Sequence, residues 1–322
     1  MKLSIVFISL TILSCTIANA QDVKYSFSES YKLGSPAQVS VSSSDGDIEA
    51  VAFDGQKADI FYIVKKNNKV LNITRAELEK EVTLEVVQVN NSLSIVVKYK
   101  PEFGIINWRD HMVVSFRLQL PKESANELRT SDGNISIKGF TKDQICKTSD
   151  GNLDINDIRG SVVASTSDGN INVNNVSGNV EVKTSDGNIL IENVTGDSKI
   201  GTSDGNLVLN KIFGNTSAKT SDGDITFENV SGSLIATTSD GNVSGNLLAL
   251  TKELTVKTGD GNIAVTIPGN LGLDLDIKGE SLDVPLSNFT GHSDENTIQG
   301  KSNGGGIPVN LSTSGNVRLT YR

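Results

Sequence analysis

The sequence predicts an all-β fold, a parallel β-solenoid of 18-residue coils, from three observations. Thr-Ser-Asp-Gly-Asn recurs almost without change, Asp224 and Gly259 being the departures, with Asp at 132, 150, 168, 186, 204, 222, 240 and 260, so that every interval is equal except the last, which is longer by two. Apolar residues fall at fixed places in every repeat and alternate with polar ones, which is the period of a half-buried strand. No stretch shows the 3.6-residue period of an amphipathic helix.

Counting each repeat from its Asp, position 4 reads Ile135, Leu153, Ile171, Ile189, Leu207 and Ile225, and position 6 reads Ile137, Ile155, Val173, Ile191, Leu209 and Phe227. Position 9 begins Phe140, Ile158, Val176, and position 15 begins Cys146, Ala164, Val182. Two turn signals separate the strands: Ser-Asp-Gly-Asn itself, and position 11 with Gly160, Gly178, Gly196, Gly214 and Gly232. A unit this short cannot bury its own apolar face, but copies stacked in parallel can, with a rise of about 4.8 Å per coil. Crossover chirality favours a right-handed coil. The apolar positions do not fall at hexapeptide spacing, which disfavours a left-handed helix.

Degenerate copies extend the pattern. Ser44-Asp45-Gly46-Asp47-Ile48 carries Phe53 and Gly55 in register. Ser314-Gly315-Asn316-Val317 lies three periods beyond Asp260, which leaves room for two irregular coils. The long interval between Asp45 and Asp132 holds β-rich runs at 60–65, 82–89, 93–99 and 112–120, with Asn90-Asn91 as a hairpin signal. The organisation expected is a signal peptide at 1–20 and an N-terminal β cap or enlarged coils at 21–120. Regular repeats follow at 121–267, then degenerate coils and a cap at 268–322. A separate N-terminal domain is the alternative to a cap.

Met1 and Lys2 precede an apolar run from Leu3 to Ile17, and Ala18-Asn19-Ala20 supplies a small-x-small cleavage site. This is the secretory leader pattern, and the run is shorter than the roughly 18 to 20 residues of a spanning helix. Ile12-Leu13-Ser14-Cys15 gives lipoprotein anchoring through Cys15 as the alternative, though Leu13 fits that box poorly. The mature chain is therefore expected outside the cytoplasm: secreted, on the cell surface or in the periplasm. Cleavage after Ala20 leaves Cys146 as its only cysteine, so stability must come from the core.

Lys and Arg number 29 against 38 Asp and Glu, a net charge of −9, which excludes a basic nucleic-acid face. Aromatics at 5%, with one Trp, give poor stacking platforms for bases or sugars. Stacked coils place Asp132, Asp150, Asp168, Asp186, Asp204, Asp222 and Asp240 in one file. At about 5 Å, neighbouring charges repel by roughly 1 kcal/mol in water. Capping of backbone N–H groups within each turn is the expected compensation, helped by Lys147, Lys183, Lys219 and Lys257; bound Ca²⁺ is the alternative. The Thr file at 130–258 is expected to point inward, which argues against a flat ice-binding face. His111 and His292 are expected in exposed loops. No catalytic residue, cofactor or metal site is assigned.

The Thr-Ser-Asp-Gly-Asn-Ile copies, the strands ahead of Leu118-Gln119-Leu120-Pro121, and Gly304-Gly305-Gly306 before Val309-Asn310-Leu311-Ser312 resemble one bacterial β-strand-repeat family. That family is catalogued as "putative adhesin", of unknown function, and a related group is the head (GIN) domain of autotransporter adhesins. The resemblance spans roughly residues 37 to 322. It implies the solenoid fold and offers no catalytic residues. The function expected is a structural or binding module, non-enzymatic, engaging a glycan, a protein or a cell-envelope component. A polysaccharide-active enzyme and a periplasmic sensing component are the rivals.

Overall fold

The computed structural model describes residues 24–100 and 111–322. The leader with Cys15, and the stretch Trp108-Arg109-Asp110, lie outside the described residues. Two walls of parallel strands face each other across one continuous apolar core. In the first wall Ile135, Leu153, Ile171, Ile189, Leu207 and Ile225 pair rung upon rung, each one repeat above the last. In the second wall Cys146, Ala164, Val182, Ile200, Ala218 and Ala236 do the same. The strands Ile225–Thr237 and Val243–Lys257 run from one wall into the other, so pairing links all the strands.

The four apolar files are buried, except that in the last coil Leu247 takes the position-9 place beside Val230 and Leu248 is exposed. Positions 6 and 9 both face inward although they are an odd number of residues apart, so strict alternation must break between them. It breaks at position 8. Asp157, Asn175, Asn193, Lys211 and Asn229 take φ between 53° and 59°, the left-handed region that Asn and Asp tolerate best. The corner therefore turns on this residue, ahead of the glycine at position 11.

The N-terminal end is not in chain order. Strand Ala37–Ser42 lies between Ser92–Tyr99 and Ser124–Arg129. Strand Ile48–Phe53 lies between Val113–Pro121 and Ile135–Lys138. Asp47 and Asn134 are thus on adjacent rungs, with the Asn134 N–H donating to Asp47 Oδ1 at 2.9 Å. Antiparallel strands then close the end: Lys57–Lys66 on Val113–Pro121, Phe27–Lys32 on Lys57–Lys66, and Val82–Val89 on Ser92–Tyr99. The last pair forms the hairpin expected at Asn90-Asn91.

No helix is expected from the periodicity, yet Arg75–Glu81 is one. Its signal is a capping box: Thr74 accepts from the Glu77 N–H, and the Glu77 carboxylate accepts from the Thr74 N–H. Leu78 is its buried anchor. Glu29 ties the helix to the end strand, accepting from Tyr31 at 2.6 Å, Tyr62 at 3.0 Å and Arg75 at 3.0 Å. Burial raises the Glu29 pKa, but these bonds outweigh it and hold the carboxyl below its ordinary value.

At the C-terminal end the structure corrects the three-period expectation. Strand Asn316–Tyr321 pairs directly on Ile263–Ile267, one rung away, with Val317 beside Ile263. The intervening chain, 268–306, is not stacked between them. Its strands Leu273–Lys278 and Ser281–Asp283 form the next rung out, on the far side of Ile307–Ser312 and Asn316–Tyr321. Strands Thr297–Ser302 and Phe289–Ser293 then pair antiparallel over that rung's edge.

Candidate functional site

Each residue of Thr-Ser-Asp-Gly-Asn does a different job. The Thr side chains are buried, as expected. The Thr184 hydroxyl shares its proton between the carbonyls of Ser167 at 2.9 Å and Gly169 at 3.0 Å, and accepts the Gly187 N–H at 3.4 Å. The Gly column permits close approach: a Cβ on Gly169 would stand 1.9 Å from the Gly151 carbonyl oxygen. The Asn side chains form a second ladder along the axis, the Asn170 N–H donating to Asn152 Oδ1 at 2.9 Å and the Asn188 N–H to Asn170 Oδ1 at 2.9 Å. Asp224, the one Asp in this file of the regular repeats, keeps the ladder because its carboxylate accepts the Asn242 N–H at 2.7 Å.

Ser and Asp face solvent. Their backbone N–H groups share the Ser carbonyl of the rung below, as where Ser167 and Asp168 reach Ser149 at 2.7 and 3.0 Å. The Asp file from 132 to 240 is exposed and aligned. The capping expected of it does not occur. Among the described residues, the carboxylates of Asp150, Asp168, Asp186, Asp204, Asp222 and Asp240 accept no hydrogen bond and pair with no Lys. Thr does the capping because its shorter side chain sits inside the turn. Lys147, Lys183, Lys219 and Lys257 make no ion pair with the file. Among the described residues no three His, Cys, Asp or Glu side chains gather as a metal site.

One end of the file carries a polar cluster. His111 Nε2 lies 2.8 Å from Asp45 Oδ2, and the Tyr99 ring meets the His111 ring edge-on at 5.3 Å. Burial first, then the charges of Asp45 and Asp150, push the Asp132 carboxyl above its ordinary pKa. His111 is exposed and outside any strand, as expected, and is held there by Asp45 and Tyr99. His292 pairs with Asp294 at 3.0 Å on an exposed strand.

The second wall holds a feature that the repeat does not produce. A trough of about 520 Å³ runs across five rungs, from Ser161 and Val163 to Ser233 and Ile235. Lys252 and Glu253 wall one end. They belong to the last and longest of the repeat coils, where pairing with Ile225–Thr237 shifts register between Phe227 and Leu234. The extra residues bulge outward over the wall. The lengthened final interval was the sequence signal for it. Along the trough Asp197 N–H reaches Asn179 Oδ1 at 3.0 Å, Asn215 N–H reaches Asp197 Oδ1 at 2.9 Å, and Lys199 pairs with Glu181 at 2.8 Å. Beneath it the hydroxyls of Ser198 and Thr216 are buried without partners. Such a surface offers donors, acceptors and small aliphatic patches at each rung, with charges of both signs.

The Toastrack DUF4097 family model matches residues 37–227 and 212–320. No curated protein matches. A solved structure of a "putative adhesin" from Bacteroides fragilis NCTC 9343 is similar at 14% identity and TM-score 0.41, over 74% of this chain and 96% of that one. A "putative cell adhesion protein" from Clostridium sporogenes ATCC 15579 is similar at 10% identity and TM-score 0.20, over 92% of this chain and 99% of that one. The two matched segments overlap and together cover most of the sequence, and the chain belongs to the Toastrack DUF4097 family.

Proposed function

We propose that this chain is an extracytoplasmic, right-handed β-solenoid that serves as a structural or binding module of the adhesin kind and catalyses no reaction. Its ligand is a glycan, a protein or a cell-envelope component, met along the trough of the second wall. Export on the 1–20 leader, and kinship with the head-domain group of autotransporter adhesins, belong to the same proposal. The observation that carries it is the register. Rung after rung pairs without a break, so the outer side chains stand on rigid walls in fixed files, and the one bulge in the regular stack builds the trough. The test is fractionation of the native host together with pull-down of envelope material. Recovery outside the cytoplasm with captured ligand, lost in Ser217→Trp across the trough, supports the reading. Cytoplasmic recovery, or capture unchanged by that substitution, overturns it.

The cluster of Asp45, His111, Tyr99 and Asp132 is what favours the rival reading of a polysaccharide-active enzyme. A hydrolysis screen separates the two. Turnover abolished by Asp132→Asn would establish the enzyme; its absence leaves the cluster as the end of the Asp file.

A further inference from the structure

The C-terminal closure has an unusual order. Strand Ile307–Ser312 pairs on one side with Leu254, Thr255, Val256 and Lys257, and on the other with Leu273–Lys278. Strand Asn316–Tyr321 pairs likewise with Ile263–Ile267 and with Ser281–Asp283. The end of the chain is thus inserted between two rungs that precede it in sequence. It fills the slot with Val309, Leu311, Val317 and Leu319, all buried. It also continues the Asn ladder, the Asn316 N–H donating to Asn262 Oδ1 at 3.0 Å.

The insert lies between two rungs that precede it in sequence, so it can leave its slot without unpairing the regular repeats. It hangs on a linker built to bend: Asn303, Gly304, Gly305 and Gly306 all have positive φ, from 51° to 141°. An emptied slot exposes two unpaired strand edges and an apolar floor on each wall, which demands refilling. Nothing in the fit depends on the insert coming from the same chain, because a second copy carries the same strands in the same register.

We propose that residues 307–321 are an exchangeable closing coil, which one copy of this chain donates to the slot of another. The partner is a second copy, and the contact is the native one made in trans. Exchange links copies through their C-terminal ends. It depends on chain concentration and on the opening rate of the last rung.

The test uses two full-length variants, Val265→Cys and Leu319→Cys, at positions that pair across the slot. Parallel neighbours stand at a separation a disulfide spans. The native Cys146 is buried, and burial pushes its thiol up to about 12, so it does not compete, and Cys15 in the leader is replaced by Ser in every variant. Each variant is incubated near the onset of melting, alone and as an equal mixture, then oxidised. The expected result is a linked dimer in the mixture alone, joined between positions 265 and 319 by mass spectrometry, and falling several-fold on ten-fold dilution during incubation. The double variant in one chain closes the link internally and shows that both substitutions fold. An internal link in the double variant with no dimer in the mixture overturns the proposal. If the double variant fails to link, Ile263→Cys with Val317→Cys, the neighbouring pair, decides on the same criteria.

Discussion

Replacing Thr184 by Val tests what the buried Thr file is for. Valine matches threonine in shape and is the more apolar, and Val162 and Val180 are already comfortable in this core. If the file only filled space, Thr184→Val would stabilise. The structure predicts the reverse. Thr184 serves Gly169, whose carbonyl lies 3.0 Å from its hydroxyl, and Gly187, whose N–H lies 3.4 Å from it, and both glycines are buried. Ser167 loses little, because its carbonyl also accepts from Ser185 and Asp186. Two stranded buried groups at about 1–3 kcal/mol each give a loss of about 2–4 kcal/mol after the valine gains its methyl contacts. Thr184→Ser keeps the hydroxyl and drops one methyl, for about 1 kcal/mol. Chemical denaturation followed by circular dichroism reads both, and the order must be wild type, then Ser, then Val. A Val variant as stable as wild type would refute the assignment.

Other outcomes follow from the same contacts. Gly169→Ala drives a methyl to within 1.9 Å of a backbone oxygen and should cost about 3 kcal/mol or more, whereas Gly201→Ala meets nothing nearer than 3.8 Å and should be neutral or slightly stabilising by thermal melting. The Asp132 carboxyl binds its proton more readily in the folded chain than in the unfolded one. Its ionisation therefore opposes folding above that folded pKa, and the penalty disappears as pH falls through it. Asp132→Asn should raise the melting temperature at neutral pH, and the gain should vanish in acid. Glu29 has the opposite sign: stability from its bonds is present at neutral pH and lost as pH falls through its depressed pKa, so Glu29→Gln should destabilise only at the higher pH. Millimolar Ca²⁺ or a chelator should leave the melting curve in place, since among the described residues no third His, Cys, Asp or Glu side chain joins any pair of Asp side chains.

What the sequence made legible was whatever repeats. Strand positions, inward files, buried Thr and the parallel stack follow from a period and from the fact that a short unit must share its core. What it concealed was adjacency. Similar residues at Asp47 and Asn134, or at Asn262 and Asn316, mark equivalent corners, but nothing local reveals that they are neighbouring rungs. The intervening chain folds beyond them, and only long-range pairing settles the order. The capping role expected of Asp falls to Thr for a related reason. Ser, Thr, Asp and Asn side chains can all bond to nearby backbone, so choosing among them needs the turn's depth as well as its composition. The left-handed corner was readable in hindsight, since Asn175, Asn193 and Asn229 share one position. Asp157 and Lys211 in the same file blurred it. The helix Arg75–Glu81 is too short for a periodic signal, and its capping box was the only mark it left.

Spin labels on the Asp corners measure the stack most directly. With one label at 132 and the second at 222, 240 or 260, the separations should grow by one rung at a time, to about 24, 29 and 34 Å. A pair at 260 and 314 should stand a single rung apart despite the long stretch of chain between them. Separations that do not rise in step, or a 260–314 distance of three rungs, would contradict the stacked and inserted order.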